Sequence, residues 1–334
     1  MVKSMFWKAL NFPRFRLITL PTPLEKAKNL SKELNVELYI KRDDVMDLAL
    51  GGNKARKLEF LIADALSKGC DTVITRGAYH SNHARLTAAA ARKAGLEAHL
   101  VLYPPGEKIS QGNIILEELM GAKIHPLESP EEADGYIENL KKELEAEGKK
   151  VYVIPGGGAS AYGVLGYVVA ALELLEQFYS IGKMPKYVVH ATGTGATQAG
   201  LVLGFKLLGA DVKVIGISIS RTVEEEKERV RNLVEETKKL LEVDIEVKDE
   251  DIIVRDEYRF GGYAVISKEV VDTMKYVARM EGLILDPVYT AKAMYGLIDL
   301  IKRGIIEKES VVTFLHTGGT PIVFQKVEEI TKYL

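Results

Sequence analysis

The sequence has a single cysteine, Cys70, which excludes both an internal disulfide and a CxxC zinc site. Cys70 stands in ADALSKGCDTVI, between a helical pattern and a strand, where a small, partly buried residue is expected rather than a nucleophile. An excess of charge is missing too. The net charge is −2 over 334 residues, which leaves no basic field to hold nucleic acid. No apolar run of bilayer length is read along the chain, so no membrane association is expected. The first residues, MVKSMFWKALNFPRF, are too interrupted by Lys and Arg to form a signal peptide, and the cytoplasm is the expected compartment. Internal repeats and low-complexity segments are lacking as well.

What is present is alternation. VELYI (36–40), TVIT (72–75), AHLVLY (98–103), VYVIP (151–155), YVVHA (187–191), VKVIGIS (212–218) and VVTFLH (311–316) are apolar runs of strand length. Between them lie helical periods: Leu58, Leu61, Ile62, Ala65 and Leu66, then SNHARLTAAAARKAG and GNIILEELMGA. Alternating βα units predict an α/β protein with open, mostly parallel sheets flanked by helices. At 334 residues the chain exceeds a single core, so two lobes are expected. The charged stretches 131–150 and 224–242 predict solvated amphipathic helices. Ligands of open α/β sheets sit at the carboxyl ends of strands, so the chemistry is sought in the strand-to-helix turns.

Four turns are unusual. In GGNKARKLEF (51–60), two glycines and Asn53 place Lys54 at a helix start. The positive end of the helix dipole disfavours an ammonium there, and a neutral amine is what an aldehyde needs to form an imine. Alone, Lys54 reads as an exposed turn lysine, and the GxxxxGK[ST] spacing of a nucleotide loop is absent. In RGAYHSNHAR (76–85), Ser81, Asn82 and His83 open a helix whose free N–H groups suit a carboxylate; a plain Ser N-cap is the bland alternative. His80 and His83 lack a third ligand nearby, so no metal is expected. In ATGTGATQAG (191–200), glycines and threonines at a helix start suit one phosphate. A dinucleotide-binding turn would need glycine where Gln198 stands. The fourth comprises LDPVYTAKAMYGL (285–297) and FLHTGGTP (314–321), with Tyr289 and Thr317 as candidates, each individually more often a packing or turn residue. Together the turns supply an imine-forming lysine, a carboxylate site, a monophosphate cradle and a polar aromatic lid, which match pyridoxal 5′-phosphate (PLP) and an amino acid.

IKRDD (40–44), GGNKARKLE (51–59), SNHAR (81–85), TGATQAG (194–200), DPVYT (286–290) and HTGG (316–319) occur in this order over nearly the whole chain. The sequence thereby resembles the D-cysteine desulfhydrase and 1-aminocyclopropane-1-carboxylate (ACC) deaminase group of fold-type II, tryptophan-synthase-β-like PLP enzymes. The resemblance implies PLP as an imine on Lys54, Ser81 on the substrate carboxylate, and Asn82 at the cofactor's 3′ oxygen, with His83 beside the substrate. It implies a phosphate held by Gly193, Thr194, Gly195, Ala196 and Thr197. Tyr289 is implied at the ring and near the substrate, a second tyrosine at Tyr263, and the Thr317 hydroxyl near the pyridine nitrogen. ACC deaminases resemble DPVYEGK and HLGG, whereas Thr290 and Thr317 here resemble the D-cysteine desulfhydrase branch. Ala291 departs from both patterns, standing where glycine is usual, and His83 replaces the glutamine of many relatives.

The implied activity is β-elimination from a small amino acid, with D-cysteine giving pyruvate, ammonia and sulfide. The alternatives are ACC deamination to 2-oxobutanoate and ammonia, an amino-acid racemase, a PLP-binding protein without catalysis and, weakest, a nicotinamide oxidoreductase. Residues 1–50 with 161–334 are expected to form a large lobe into which 51–160 is inserted as a small one, the lysine turn lying at the cleft. A homodimer is expected from the resemblance.

Overall fold

The structure, a computed structural model, describes residues 2–105 and 111–334. The strands are β1 (Leu24–Lys26), β2 (Glu37–Arg42), β3 (Thr72–Ala78), β4 (Glu97–Tyr103), β5 (Lys123–Pro126), β6 (Val151–Ile154), β7 (Tyr187–Thr192), β8 (Lys213–Ser218), β9 (Ile253–Arg255) and β10 (Val311–His316). The helices are α1 (Val2–Leu10), α2 (Lys28–Leu34), α3 (Lys54–Ser67), α4 (Asn82–Lys93), α5 (Asn113–Leu119), α6 (Ala133–Ala146) and α7 (Ala161–Ser180). They continue with α8 (Ala196–Leu208), α9 (Val223–Leu241), α10 (Lys268–Glu281), α11 (Thr290–Lys302), α12 (Thr320–Gln325) and α13 (Val327–Thr331).

Two sheets form. The larger has the order β1-β2-β10-β7-β8-β9, parallel except for the antiparallel β1-β2 edge pair. The smaller, β5-β4-β3-β6, is wholly parallel. This is the mixed α/β architecture the alternation predicted. The strands missed in the sequence, β1, β5 and β9, are all edge strands of three or four residues, with only a single buried residue among them, Val254. Such strands carry no continuous apolar run. By contrast β7 is buried along its whole length, as a central parallel strand must be.

One reading of the apolar runs is corrected. Helix α7 is 20 residues long with a mean hydropathy of 1.2, enough to cross a membrane by length and composition. Here it is a core helix: Val164, Leu165 and Val168 pack with Phe60 of α3 and with Ala196 and Ala199 of α8. Gly200 and Gly204 of α8 let the two helices touch, since a Cβ at Gly200 would lie 2.4 Å from Tyr167 Cβ. The amphipathic reading of 224–242 corresponds to α9, which opens with a Thr222–Glu225 capping box.

Helix α3 carries Lys54 and lies between the sheets. Leu58, Leu61 and Ile62 join the core of the smaller sheet with Val73 and Ile154, while Phe60 joins α7 and α8. Arg56 anchors the helix. Its guanidinium bonds both carboxylate oxygens of Asp43, at 2.9 Å each, and both of Glu173, at 2.9 and 2.8 Å. Tyr167 and Thr22 donate hydroxyls to Asp43, and Lys41 contacts Glu173 at 2.5 Å.

Candidate active site

The carboxyl ends of both sheets converge on one cavity of about 480 Å³, within the span of roughly 300–1,000 Å³ usual for small-ligand sites. From the smaller sheet come Ser81–His83 beyond β3, Tyr103 at the end of β4, and Pro155–Gly157 beyond β6. From the larger come Thr192–Gly195 and Thr197 around the end of β7, Ile219–Arg221 beyond β8, and Thr317 and Gly318 beyond β10. Lys54, Lys57, Arg76, Arg229, Tyr263 and Tyr289 also line it.

The lysine turn is built by close backbone approach. Gly52 has φ +126°, and a Cβ on Gly318 would fall 2.8 Å from its Cα, so both glycines are required where the two loops cross. Asn53 N–H donates to Thr317 O at 3.1 Å across this crossing. Asn53 also donates to Thr197 Oγ1 at 2.9 Å and accepts from Lys54 Nζ at 2.9 Å, tying the lysine to the α8 turn. The Lys54 amine has its pKa lowered to about 8, by burial and by the Arg85 cation against an opposing pull from Asp286. Burial leads, where the sequence argument had invoked the helix dipole.

Ser81 is the N-cap of α4; its Oγ accepts from Ala84 N–H at 3.2 Å while the residue faces the cleft. The bland reading of Ser81 therefore holds, and leaves its hydroxyl proton for a ligand. Asn82 Oδ1 accepts from Arg85 Nη1 at 3.2 Å and Asn113 Nδ2 at 3.1 Å, which leaves its own N–H donors for the cavity. His83 Nε2 meets Thr75 Oγ1 at 2.9 Å, and Nδ1 has no partner among the described residues. Burial, with the Lys54 and Lys57 cations, pushes its pKa well below the usual range, so His83 is a neutral imidazole. His80 does not line the cavity and instead packs on Tyr263, ring centres 5.3 Å apart.

At the third turn Gly195 adopts φ +81° and caps α8, so the N–H groups of 193–197 gather at a helix start. Ala196 takes part through backbone only; its methyl is fully buried in the core of α7 and α8. Sequence reasoning missed two parts here. Gly157, in the run PGGG after β6, closes on Thr194: a Cβ there would lie 2.6 Å from Thr194 Oγ1. Lys57, three residues after Lys54 and so on the same helix face, is buried, and among the described residues it has only a 3.3 Å contact to Gly157 O. Burial and the Lys54 charge push its pKa well below normal. Glycines at a strand-to-helix turn and the i, i+3 spacing were the available signals.

Tyr289 and Tyr263 share a hydroxyl–hydroxyl bond of 2.5 Å. Burial raises Tyr263 to about 12 and lifts Tyr289 well above its ordinary value. Tyr289 sits where α11 begins, placed by Asp286, whose carboxylate accepts from the N–H groups of Val288, Tyr289 and Thr290 and from Thr290 Oγ1 at 2.7–2.9 Å. Thr290 is thus fully buried and turned onto Asp286, and it does not line the cavity. Of the two threonines singled out in the sequence, only Thr317 faces the cleft.

A cavity that joins a poised lysine to an anion cradle has clear relatives. The family model described as pyridoxal-phosphate dependent enzyme matches residues 16–318. The chain belongs to that family. A Pyrococcus abyssi protein provisionally named 1-aminocyclopropane-1-carboxylate deaminase is 49% identical over 97% of this chain and 96% of its own. D-cysteine desulfhydrase from Salmonella typhi is 43% identical over 94% and 96%. The crystal structure of an ACC deaminase homologue superposes with a TM-score of 0.91 at 42% identity, covering 99% of both chains. A threonine deaminase from Solanum lycopersicum, at 20% identity and TM-score 0.71, shares the fold. This is a fold-type II enzyme whose cofactor is PLP. The cavity fits that group. An amine, a glycine-threonine helix start, a second buried lysine that forms no ion pair among the described residues and the His83 imidazole line one space.

Proposed function

We propose that the enzyme eliminates the β-substituent of a small amino acid, D-cysteine best, releasing pyruvate, ammonia and sulfide. When bound, PLP condenses with an amine through its aldehyde and draws electrons from the attached α-carbon. Lys54 is the residue that would hold it and, once displaced by substrate, would accept the Cα proton at Nζ; a pKa near 8 keeps a useful fraction of free amine at neutral pH. The N–H groups of 193–197 and Lys57 would hold the phosphate. Ser81 would bind the α-carboxylate, Asn82 would orient the ring through its free N–H donors, and His83 would line the substrate pocket as a neutral group. Tyr263 and Tyr289, protonated at neutral pH, would hold or pass a proton at their paired hydroxyls.

The observation that carries elimination is that no Asp or Glu among the described residues lines the cavity. The polar side chain beyond β10 is Thr317. A hydroxyl does not stabilise a protonated pyridine nitrogen as a carboxylate does, which weakens the electron sink and disfavours transamination. The name of the Pyrococcus abyssi relative favours a second reading, opening of ACC. Holoenzyme incubated with D-cysteine, L-cysteine, D-serine and ACC distinguishes them through sulfide, keto acid and enantiomer ratio. Sulfide and pyruvate from D-cysteine are expected. Equal turnover of ACC to 2-oxobutanoate refutes the preference, and scrambling of the α-carbon without sulfide establishes a racemase.

A further inference from the structure

The paired hydroxyls of Tyr263 and Tyr289 rest on unlike supports. Tyr289 stands at the start of α11, where Asp286 fixes it. Tyr263 lies between β9 and α10, in a stretch, 256–267, that forms neither helix nor strand. From Phe260 to Ala264 the backbone turns repeatedly through positive φ: Phe260 at +51°, Gly261 at +91°, Gly262 at +132° and Ala264 at +60°. Phe260 and Ala264 carry a Cβ, so this conformation persists only where contacts from outside the loop enforce it. Tyr263 is also the one side chain of 256–267 that lines the cavity.

The enforcing contacts come from α11. The Tyr258 hydroxyl donates to Asp299 at 2.7 Å, and Phe260 packs edge-on against Tyr295, ring centres 5.0 Å apart. Next to Tyr263 itself the contact is Lys292. Its Nζ donates to Arg259 O at 2.8 Å and to Gly262 O at 2.7 Å, the second being the carbonyl of the peptide that leads into Tyr263. Among the described residues, these carbonyls otherwise accept only from the loop's own Gly262 and Val265 N–H groups, at 3.1 and 3.4 Å. Lys292 is fully buried, and its neighbours along the helix, Ala291, Ala293 and Met294, are apolar and equally buried. An ammonium in such a place costs free energy that an apolar side chain does not, and burial lowers its pKa to about 8 against the pull of Asp286. The pairing of two loop carbonyls is what offsets that cost. Lys292 does not line the cavity. It stands one helix turn after Tyr289, so a single turn of α11 sets both tyrosines, one directly and the other through the loop.

We propose that Lys292 is a positioning residue that holds the Tyr263 hydroxyl against Tyr289, so that proton movement at the pair depends on a side chain outside the cavity. The inference rests on the reading above that the pair holds or passes a proton. Without the Lys292 amine, the two carbonyls lose their tether and Tyr263 leaves its 2.5 Å contact. The moorings on Asp299 and Tyr295 remain, so the loop stays on α11 and only the part that carries Tyr263 is released.

The test is a double-variant cycle on the holoenzyme with Lys292→Met, which keeps the length of the side chain and removes the donor, and Tyr263→Phe. Lys292→Met should lower kcat by at least about tenfold with the PLP Kd and the imine band retained. In the Tyr263→Phe background the same change should cost less than about twofold, because the hydroxyl it positions is already gone. Penalties that multiply overturn the proposal, since Lys292 then acts elsewhere, and so does a Lys292→Met enzyme with the wild-type kcat beside an impaired Tyr263→Phe. If Lys292→Met does not fold, Lys292→Gln, which keeps one amide donor, enters the cycle in its place and is judged by the same two outcomes. Nitration gives a readout without turnover. It needs the phenolate, and burial raises Tyr263 to about 12, so release of the loop should speed nitration of Tyr263, located by peptide mass. If Tyr263→Phe alone changes kcat less than tenfold, the proton reading of the pair falls. Lys292 is then judged by nitration: a faster reaction at Tyr263 in the variant upholds its positioning role, and an unchanged rate overturns it.

Discussion

Arg56→Met removes the guanidinium that holds α3 in place while keeping much of its volume. In the wild type the cluster is two cations, Arg56 and Lys41, against two carboxylates, Asp43 and Glu173. The variant leaves an uncompensated negative charge among residues that are nearly all buried, a class of change that costs about 3–5 kcal/mol. The Glu173 pKa gives a second route to the magnitude. Burial pushes it up, but Arg56 and Lys41 outweigh burial and hold it down at about 2, from 4.5. That depression is about 3 kcal/mol of stability on an 11%-exposed side chain. A carboxylate with a depressed pKa stabilises the fold above its unfolded value and loses that contribution as pH falls. The wild type should therefore lose this share between about pH 4.5 and 2, and the variant should already lack most of it at pH 7. Urea unfolding followed by circular dichroism at pH 7 and pH 3 measures both. A loss under about 1 kcal/mol at pH 7, or an acid slope as steep as the wild type's, refutes the reasoning.

Borohydride should fix the holoenzyme's cofactor on Lys54, and Lys54→Ala should lack the imine band; a modified peptide elsewhere overturns the site. In cofactor-free protein the Lys54 amine should become reactive to acylation with a midpoint near pH 8, its lowered value, and a midpoint near 10.5 would show that burial is not felt there. Tyr263→Phe breaks the 2.5 Å hydroxyl pair and should lower kcat/KM by about 10²–10⁴ with PLP affinity retained; a change below tenfold makes the pair a packing contact. Gly157→Ala, at φ +70° and facing Thr194, should raise the PLP Kd at least about tenfold. Gly135→Ala, where nothing lies within 4 Å, should leave it unchanged, and equal values for the two refute the closure of Gly157 on the cradle.

Much of this was legible in local pattern. Runs such as YVVHA and VVTFLH are buried on both faces, so they read as central strands without help from their neighbours. Lys54, Ser81, Asn82, Gly193–Thr197 and Thr317 stand at turns whose glycines and capping residues show in the sequence. The edge strands β1, β5 and β9 did not show, because an edge strand needs only a few inward residues. Helix α7 has a membrane span's composition, and only its packing against α3 and α8 makes it a core helix. By itself the sequence determined the βα alternation, the lysine turn and the anion-binding helix start, since these depend on residues within a few positions of one another. Which side chains share the cavity was decided by the tertiary structure. Thr290 turned away onto Asp286, Ala196 went into the core, and Lys57, Gly157, Arg76, Arg221 and Arg229 came in. The Lys54 pKa likewise follows from burial between two sheets, and burial is a sum over contacts distant in sequence.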